Sequence, residues 1–256
     1  MSADGRGDRP LEAPARGGAF YDLPDVFERY RDRRPGLSNP NFVMEEPALL
    51  EELGCVRGLR VLDLGCGDAA LGRTLLDAGC ERYLGIDASL KMVGAAQETL
   101  RGTTGEVLHA DMEEFLVPPA AFDLVVSRVA LHYVEKLETV LEACGAGLSR
   151  GGRMIVTVLH PVITSHDARP SGRQLRTNWV VDDYFVTGPR EQQWLGEKVL
   201  WHHRTIEQYV AGLHRSGLTL TGLRECAPRR ERFDDDTEFA RRARIPMFLL
   251  FAAARL

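Results

Sequence analysis

Between Leu59 and His160 the chain repeats one pattern: a short, nearly continuous apolar run closed by a polar residue or glycine, then a longer stretch with apolar residues three and four apart. "RVLDLG", "ERYLGID", "GEVLHAD", "FDLVVSR" and "RMIVTVLH" have the first character; "AALGRTLLDAG", "SLKMVGAAQETL" and "LETVLEACGAGLSRGG" have the second. Val/Ile/Leu runs without polar alternation suit strands covered on both faces. Their alternation with helical spacing predicts consecutive βαβ units. Ser89 reads as an N-cap, and Gly79 as a helix stop. The fold class is therefore α/β, a doubly wound, mostly parallel sheet.

Outside this block the rhythm changes. Residues 1–18 mix Gly, Pro, Ala and balanced charge without periodicity, and read as a flexible leader. "FYDLPDVFERYRDRRPG" and "NPNFVMEEPALLEELG" each predict a helix, so residues 19–54 form a helical lid before the cofactor core at 55–160. Residues 161–203 carry several prolines, all three tryptophans and β-like runs such as "NWVVDDYFV". A connection of that length inside a compact domain is usually a lid or binding loop, here placed on the substrate side. Over 204–256, "RTIEQYVAGLHRSG" predicts a helix, and "LTLTGLRECA" and "IPMFLLFAAARL" two more strands. Residues 19–256 make one domain, in keeping with the length of the chain.

Composition narrows the partners. A formal net charge of -5 offers no general attraction to nucleic acid. The arginine pairs Arg229-Arg230 and Arg241-Arg242 sit among acidic residues and read as solvated faces. The five cysteines are scattered singly, without zinc spacing, which fits a reduced, cytoplasmic setting and no metal. The longest apolar stretch, "IPMFLLFAAA", is too short to span a bilayer. A small-molecule partner is the expectation, and the aromatic N-terminal helices could also pair in a homodimer.

The candidate chemistry lies at the strand ends, where open α/β sheets bind ligands. There stand Asp63 with the turn Gly65-Cys66-Gly67, then Asp87, Asp111 and Ser127. Glycines let the backbone approach a cofactor closely and bare amide N–H groups at a helix start. Asp87 closes the second strand where a carboxylate can take both hydroxyls of a ribose. The spacing Gly65, Gly67, Ala70 also fits a dinucleotide fingerprint, so an NAD-dependent oxidoreductase is one alternative. Against it, Asp63 would face a pyrophosphate, a like-charge contact, whereas an α-amino group would welcome it.

In order and spacing, "VLDLGCGDA", "GIDAS", "HADMEEF", "FDLVVSRVALHYV" and "LSRGGRMIVTVLHP" resemble the successive motifs of class I S-adenosylmethionine-dependent methyltransferases. The flanks look like those of bacterial small-molecule methyltransferases, often of specialised metabolism. The resemblance implies a seven-stranded Rossmann-like methyltransferase fold with S-adenosylmethionine as cofactor and S-adenosylhomocysteine as product. By it, Asp63, Gly65, Cys66 and Gly67 hold the methionine part and Asp87 the ribose. Ala88 and Met92 line the adenine, Asp111 with Met112 reads its edge, and Ser127 sits beside the methionyl end.

For the methyl acceptor, an aromatic or apolar metabolite, for example an indole, suits the aromatic lid segments, with carbon, nitrogen or oxygen as the accepting atom. His160, at the end of the fifth strand, is the first candidate base; its other reading is a strand-end cap before Pro161. His132 either packs beside the adenosyl side or acts in catalysis. Tyr21 either stacks near the sulfonium or staples the first helix. Asn39 and Asn41 read as a turn and N-cap, and Glu45 and Glu46 as a first turn favoured by the helix dipole. A cyclase-like protein that holds the cofactor without moving a methyl, and nucleic acid methylation, are further alternatives.

Overall fold

The computed structural model describes residues 14–33, 39–165 and 179–256. In chain order it contains β1 (Ala15–Arg16), α1 (Gly17–Tyr21), α2 (Val26–Arg33), a π-helix (Asn41–Glu45), α3 (Glu46–Leu53), β2 (Arg60–Leu64) and α4 (Ala70–Asp77). Then come β3 (Arg82–Asp87), α5 (Leu90–Thr99), β4 (Glu106–His109), β5 (Phe122–Arg128), α6 (Leu137–Gly147), β6 (Leu148–Leu159) and α7 (Pro161–Thr164). The chain finishes with β7 (Gly188–Trp194), β8 (Glu197–His203), α8 (Ile206–Arg215), β9 (Thr219–Glu225), α9 (Asp236–Arg242) and β10 (Phe248–Ala254).

Seven strands form the main sheet in the order β4-β3-β2-β5-β6-β10-β9. The pairs among β2 to β6 are parallel, and β10 runs antiparallel between β6 and β9. The chain winds from β2 outward through β3 and β4, then restarts on the other side at β5, so the switch point lies between the ends of β2 and β5. Because strand residues alternate in facing, neighbours feed opposite cores. Val61, Tyr83, Leu124 and Ile155 join one apolar cluster with Leu49, Leu71 and Leu75 from the helices. Leu62, Leu84, Val125 and Met154 join the other with Leu137, Leu141, Tyr209 and Leu213. The continuous apolar runs are thus explained by burial on both faces.

A second, smaller sheet caps the strand ends. β7 and β8 form an antiparallel hairpin, and β1 adds in parallel, Ala15 opposite Val199 and Arg16 opposite Leu200. Beneath it Phe20, Val26, Leu195, Val199 and Trp201 make a third apolar cluster. The cap is therefore built jointly by the N-terminal segment and the insertion.

Several expectations need correction. The leader is paired to the hairpin at Ala15 and Arg16 rather than loose up to residue 18; residues 1–13 lie outside the described residues. The first helix breaks in two around Pro24, with Asp25 left-handed at φ 66. The second begins as a π-helix. "NWVVDDYFV" is not a strand where it is described: Val180, Val181, Phe185 and Val186 are exposed, and a turn interrupts it at 184–185. Of the aromatics of the N-terminal helices, Phe20 is buried in the cap and Tyr21 and Tyr30 line a cavity.

Candidate active site

A cavity of about 920 Å³ opens beyond the carboxyl ends of β2 and β5. One wall carries Asp63 and the turn Gly65-Cys66-Gly67, backed by Ala70 at the start of α4. Gly65 (φ 70) and Gly67 (φ 56) are left-handed, conformations that cost a side-chain-bearing residue energy. A Cβ on Gly67 would meet no atom within 4 Å, so its backbone borders open space. Aromatic side chains line the cavity as well: Tyr21, Tyr30, Tyr133, Trp179, Trp194 and Trp201.

Asp63 is 1% exposed. Its Oδ2 accepts the Tyr83 hydroxyl at 2.8 Å, while Oδ1 has no partner. Burial pushes the carboxyl up to about 7, against the pull of the Tyr83 hydrogen bond. A buried acceptor left open beside an open glycine turn suits a ligand carrying an ammonium or another donor. Asp87 is held next to it: Oδ2 accepts Gly67 N and Oδ1 accepts Ser89 N, each at 2.9 Å. Each oxygen keeps lone-pair capacity beyond these bonds, although Asp87 is not among the residues lining the cavity.

The remaining sequence candidates divide. Ala88 follows β3, Asp111 and Met112 follow β4, and Met92 is buried in α5; none of the four is among the residues lining the cavity. Met112 reaches back to Gly65, its terminal carbon 3.2 Å from where a Cβ there would sit. Asp111 forms a turn, its Oδ1 accepting Glu113 N at 2.9 Å. Ser127 is fully buried and donates to the Leu64 carbonyl at 2.9 Å, a clip between the two strands flanking the switch point.

His160 does not face the cavity, contrary to the expectation from topology. Its Nδ1 accepts Val162 N at 3.1 Å, capping α7, and its Nε2 lies 3.2 Å from Glu225 on the outer strand β9. His132 does line the cavity, and its Nδ1 is buried without a partner. Burial, aided by the Arg204 charge, lowers its imidazole to about 3, so it stays neutral at ordinary pH. Tyr21 presents its hydroxyl 3.0 Å from that of Tyr133, and burial raises its phenol well above the usual range.

Sequence reasoning missed a buried ion pair under the same wall. Glu45 stands at the N-cap of α3 and Glu46 in its first turn, but Glu45 is fully buried, with Oε2 accepting Arg128 Nε at 2.7 Å and Oε1 accepting the Thr157 hydroxyl at 2.7 Å. Arg128 also donates to Glu46 at 2.9 Å and itself lines the cavity. Burial pushes the Glu45 carboxyl up, opposed by Arg128 and Thr157. Next to Arg128, Val129 takes φ 52, a costly conformation for a β-branched residue. Its amide is held by the Thr157 carbonyl at 2.9 Å and hydroxyl at 3.1 Å. The π-helix turns Glu45 onto this network while Asn41 and Phe42 face the cavity, and such bulges recur at functional sites. Only the adjacency of "SR" to a strand end hinted at Arg128; the pairing of distant Glu45 with it has no local signal.

Residues 61–152 match the family described as "Methyltransferase domain". The crystal structure of an S-adenosylmethionine-dependent methyltransferase from Mesorhizobium loti is 35% identical, aligns over 86% of this chain and 100% of its own, and has a TM-score of 0.77. The chain belongs to the S-adenosylmethionine-dependent methyltransferases. A Mycobacterium tuberculosis protein described as an uncharacterized methyltransferase is 31% identical over 134 residues, 52% of this chain and 64% of that one. An uncharacterized Haemophilus influenzae protein is 26% identical over 217 residues, 81% of this chain and 85% of that one. The methyltransferase therefore uses S-adenosylmethionine, and the dinucleotide alternative finds no support. Among the described residues of the methyltransferase, no helix is long and apolar enough to cross a membrane.

Proposed function

We propose that the methyltransferase moves a methyl group from S-adenosylmethionine to a small molecule with an aromatic or apolar body. The observation that carries this reading is one cavity lined both by the Asp63–Gly67 turn and by Tyr21, Tyr30, Trp179, Trp194 and Trp201. Its volume lies near the top of the roughly 300 to 1,000 Å³ range of ligand pockets, room for the amino-acid half of a cofactor and an acceptor together.

In this reading the open Oδ1 of Asp63 takes the cofactor's ammonium, the Gly65-Cys66-Gly67 backbone bears on its methionine part, and Asp87 takes the ribose hydroxyls. Ala88, Met92, Asp111 and Met112 border the adenine, and Ser127 acts by holding β5 to β2. When bound, the cofactor supplies a methyl already activated on a sulfonium. The protein's share is to align the acceptor and exclude water, which can be worth on the order of 7 to 11 kcal/mol. A general base contributes about 3 to 5 kcal/mol. The site leans further toward positioning, because the histidine on its wall, His132, is held neutral and is a very weak base. Such an imidazole accepts a hydrogen bond from the acceptor better than it removes a proton. Flat, electron-rich rings of indole type match the aromatic wall.

The test is turnover with a panel of indoles, phenols, aromatic amines and aliphatic acids, followed by mass spectrometry of S-adenosylhomocysteine and methylated product. Product from aromatic acceptors, with KM raised at least about tenfold in Trp194→Ala, supports the reading. Turnover confined to aliphatic acceptors overturns it.

A further inference from the structure

The first turn of α5 is capped twice. Ser89 already caps it, its hydroxyl oxygen accepting Met92 N at 3.1 Å. Yet Asp22, from the N-terminal segment, adds a carboxylate to the same helix end: Oδ1 accepts Ser89 Oγ at 2.7 Å and Lys91 N at 3.0 Å, and Oδ2 accepts Leu90 N at 3.2 Å. Lys91 answers by donating from Nζ to the Leu23 carbonyl at 3.1 Å. Ser89 satisfies Met92 N, and Asp22 takes the remaining first-turn donors of Leu90 and Lys91 from a segment 67 to 69 residues away in sequence, so this capping also ties the N-terminal segment to α5. Gly18 completes the contact, lying so close to the loop before α5 that a Cβ there would stand 2.3 Å from the Ala88 carbonyl carbon.

The loop so clamped is the one that ends in Asp87. Asp22 binds Ser89, Ser89 N binds Asp87 Oδ1, and Asp87 Oδ2 binds Gly67 N. A continuous path of hydrogen bonds thus runs from the cap to the glycine turn. One residue away, Tyr21 reaches the cavity wall, and Phe20 is buried in the cap's own apolar cluster. We infer that Asp22 is a positioning residue that holds the N-terminal cap shut over the Asp87 loop, so that its three hydrogen bonds must break before the cofactor enters or its product leaves. The inference rests on the assignment of Asp87 to the cofactor, and it adds a latch that sets residence time.

The test compares wild type, Asp22→Ala, Asp22→Asn and Gly18→Ala. It reads the association and dissociation rates of S-adenosylhomocysteine by stopped-flow tryptophan fluorescence, its Kd by calorimetry, and Tm without ligand. Asp22→Ala should raise the association and dissociation rates alike, on the order of tenfold, the scale of one lost cap, and leave Kd within about twofold, with kcat equal or higher because release is faster. Asp22→Asn should recover part of this, since its amide oxygen still accepts from Ser89 and Lys91. Gly18→Ala, which wedges the cap open without touching Asp22, should reproduce the faster release and stands in should Asp22→Ala not fold. Unchanged association and dissociation rates in Asp22→Ala and Gly18→Ala, with only Tm lowered, would reduce Asp22 to a helix cap and overturn the inference, as would a Kd raised tenfold with an unchanged association rate. A wild type that binds no S-adenosylhomocysteine would instead overturn the cofactor assignment beneath it.

Discussion

The decisive atom is Oδ1 of Asp63, buried and without a partner. A carboxyl raised by burial is protonated in the free protein below about pH 7, whereas in the unfolded chain it ionises near its ordinary value of 3.8. Its contribution to stability is therefore fully present below the unfolded pKa and lost as pH rises toward about 7. An ammonium beside it reverses the preference and favours the charged form. Binding of S-adenosylhomocysteine should thus release a proton between about pH 5 and 7 and strengthen with pH over that window; calorimetry in buffers of differing ionisation enthalpy measures the proton, and Asp63→Asn should abolish its release. The two histidines make a second contrast. His132→Ala should lower kcat/KM by at least about tenfold because it strips the cavity wall. His160→Ala should leave kcat/KM within about twofold and lower stability by about 1 kcal/mol, a lost cap, as read by urea unfolding. Sequence marked Asp63 through its place before the glycine turn. For His160 it left base and cap both open, because ending a strand at the ligand edge does not say which way the ring turns, and the ring caps α7.

At the scale of elements, the π-helix and β5 meet through a buried ion pair. Removing Glu45 leaves Arg128 paired to Glu46 alone and the Thr157 hydroxyl without its acceptor, so Glu45→Ala should cost about 1 to 3 kcal/mol in urea unfolding. Freed of Thr157's engagement with Glu45, Val129 should also relax from its strained conformation, and cofactor affinity should fall with stability. On the far side of Asp63, α4 packs its Gly72 against Tyr83, where a Cβ would sit 2.2 Å from the ring. Gly72→Ala should therefore displace the hydroxyl that holds Asp63, costing about 1 to 3 kcal/mol in thermal unfolding as an overpacked core does. The strands and helices of the parallel block were legible because burial on both faces leaves an unbroken apolar signature. The π-helix and the pairing of Ala15 with Val199 were not, since each depends on partners far along the chain, whereas the break around Pro24 has a local cause in the proline itself.

Across the whole molecule, cap and sheet are two packed bodies with the cavity between them. The cap has its own apolar cluster, so it can shift as a unit, joined to the core through the Asp22 contacts and Trp201 beside His132. Hydrogen exchange should therefore slow in α1, β1, β7 and β8 together on adding S-adenosylhomocysteine, while β9 and β10 remain unchanged; protection confined to the glycine turn would speak against a joint cap. The legible features of the sequence are those of the sheet; the cap was anticipated as two separate lid segments, and its shared sheet was not, because a two-residue strand has no periodicity to read. The central claim is that the Asp63 turn holds the sulfonium cofactor. Titration calorimetry of S-adenosylhomocysteine into wild type and Asp63→Ala at about pH 8 tests it most directly. The account predicts binding to wild type and at least about a hundredfold weaker binding to Asp63→Ala, the loss of a charged hydrogen-bond acceptor; equal affinity in the two proteins would contradict it.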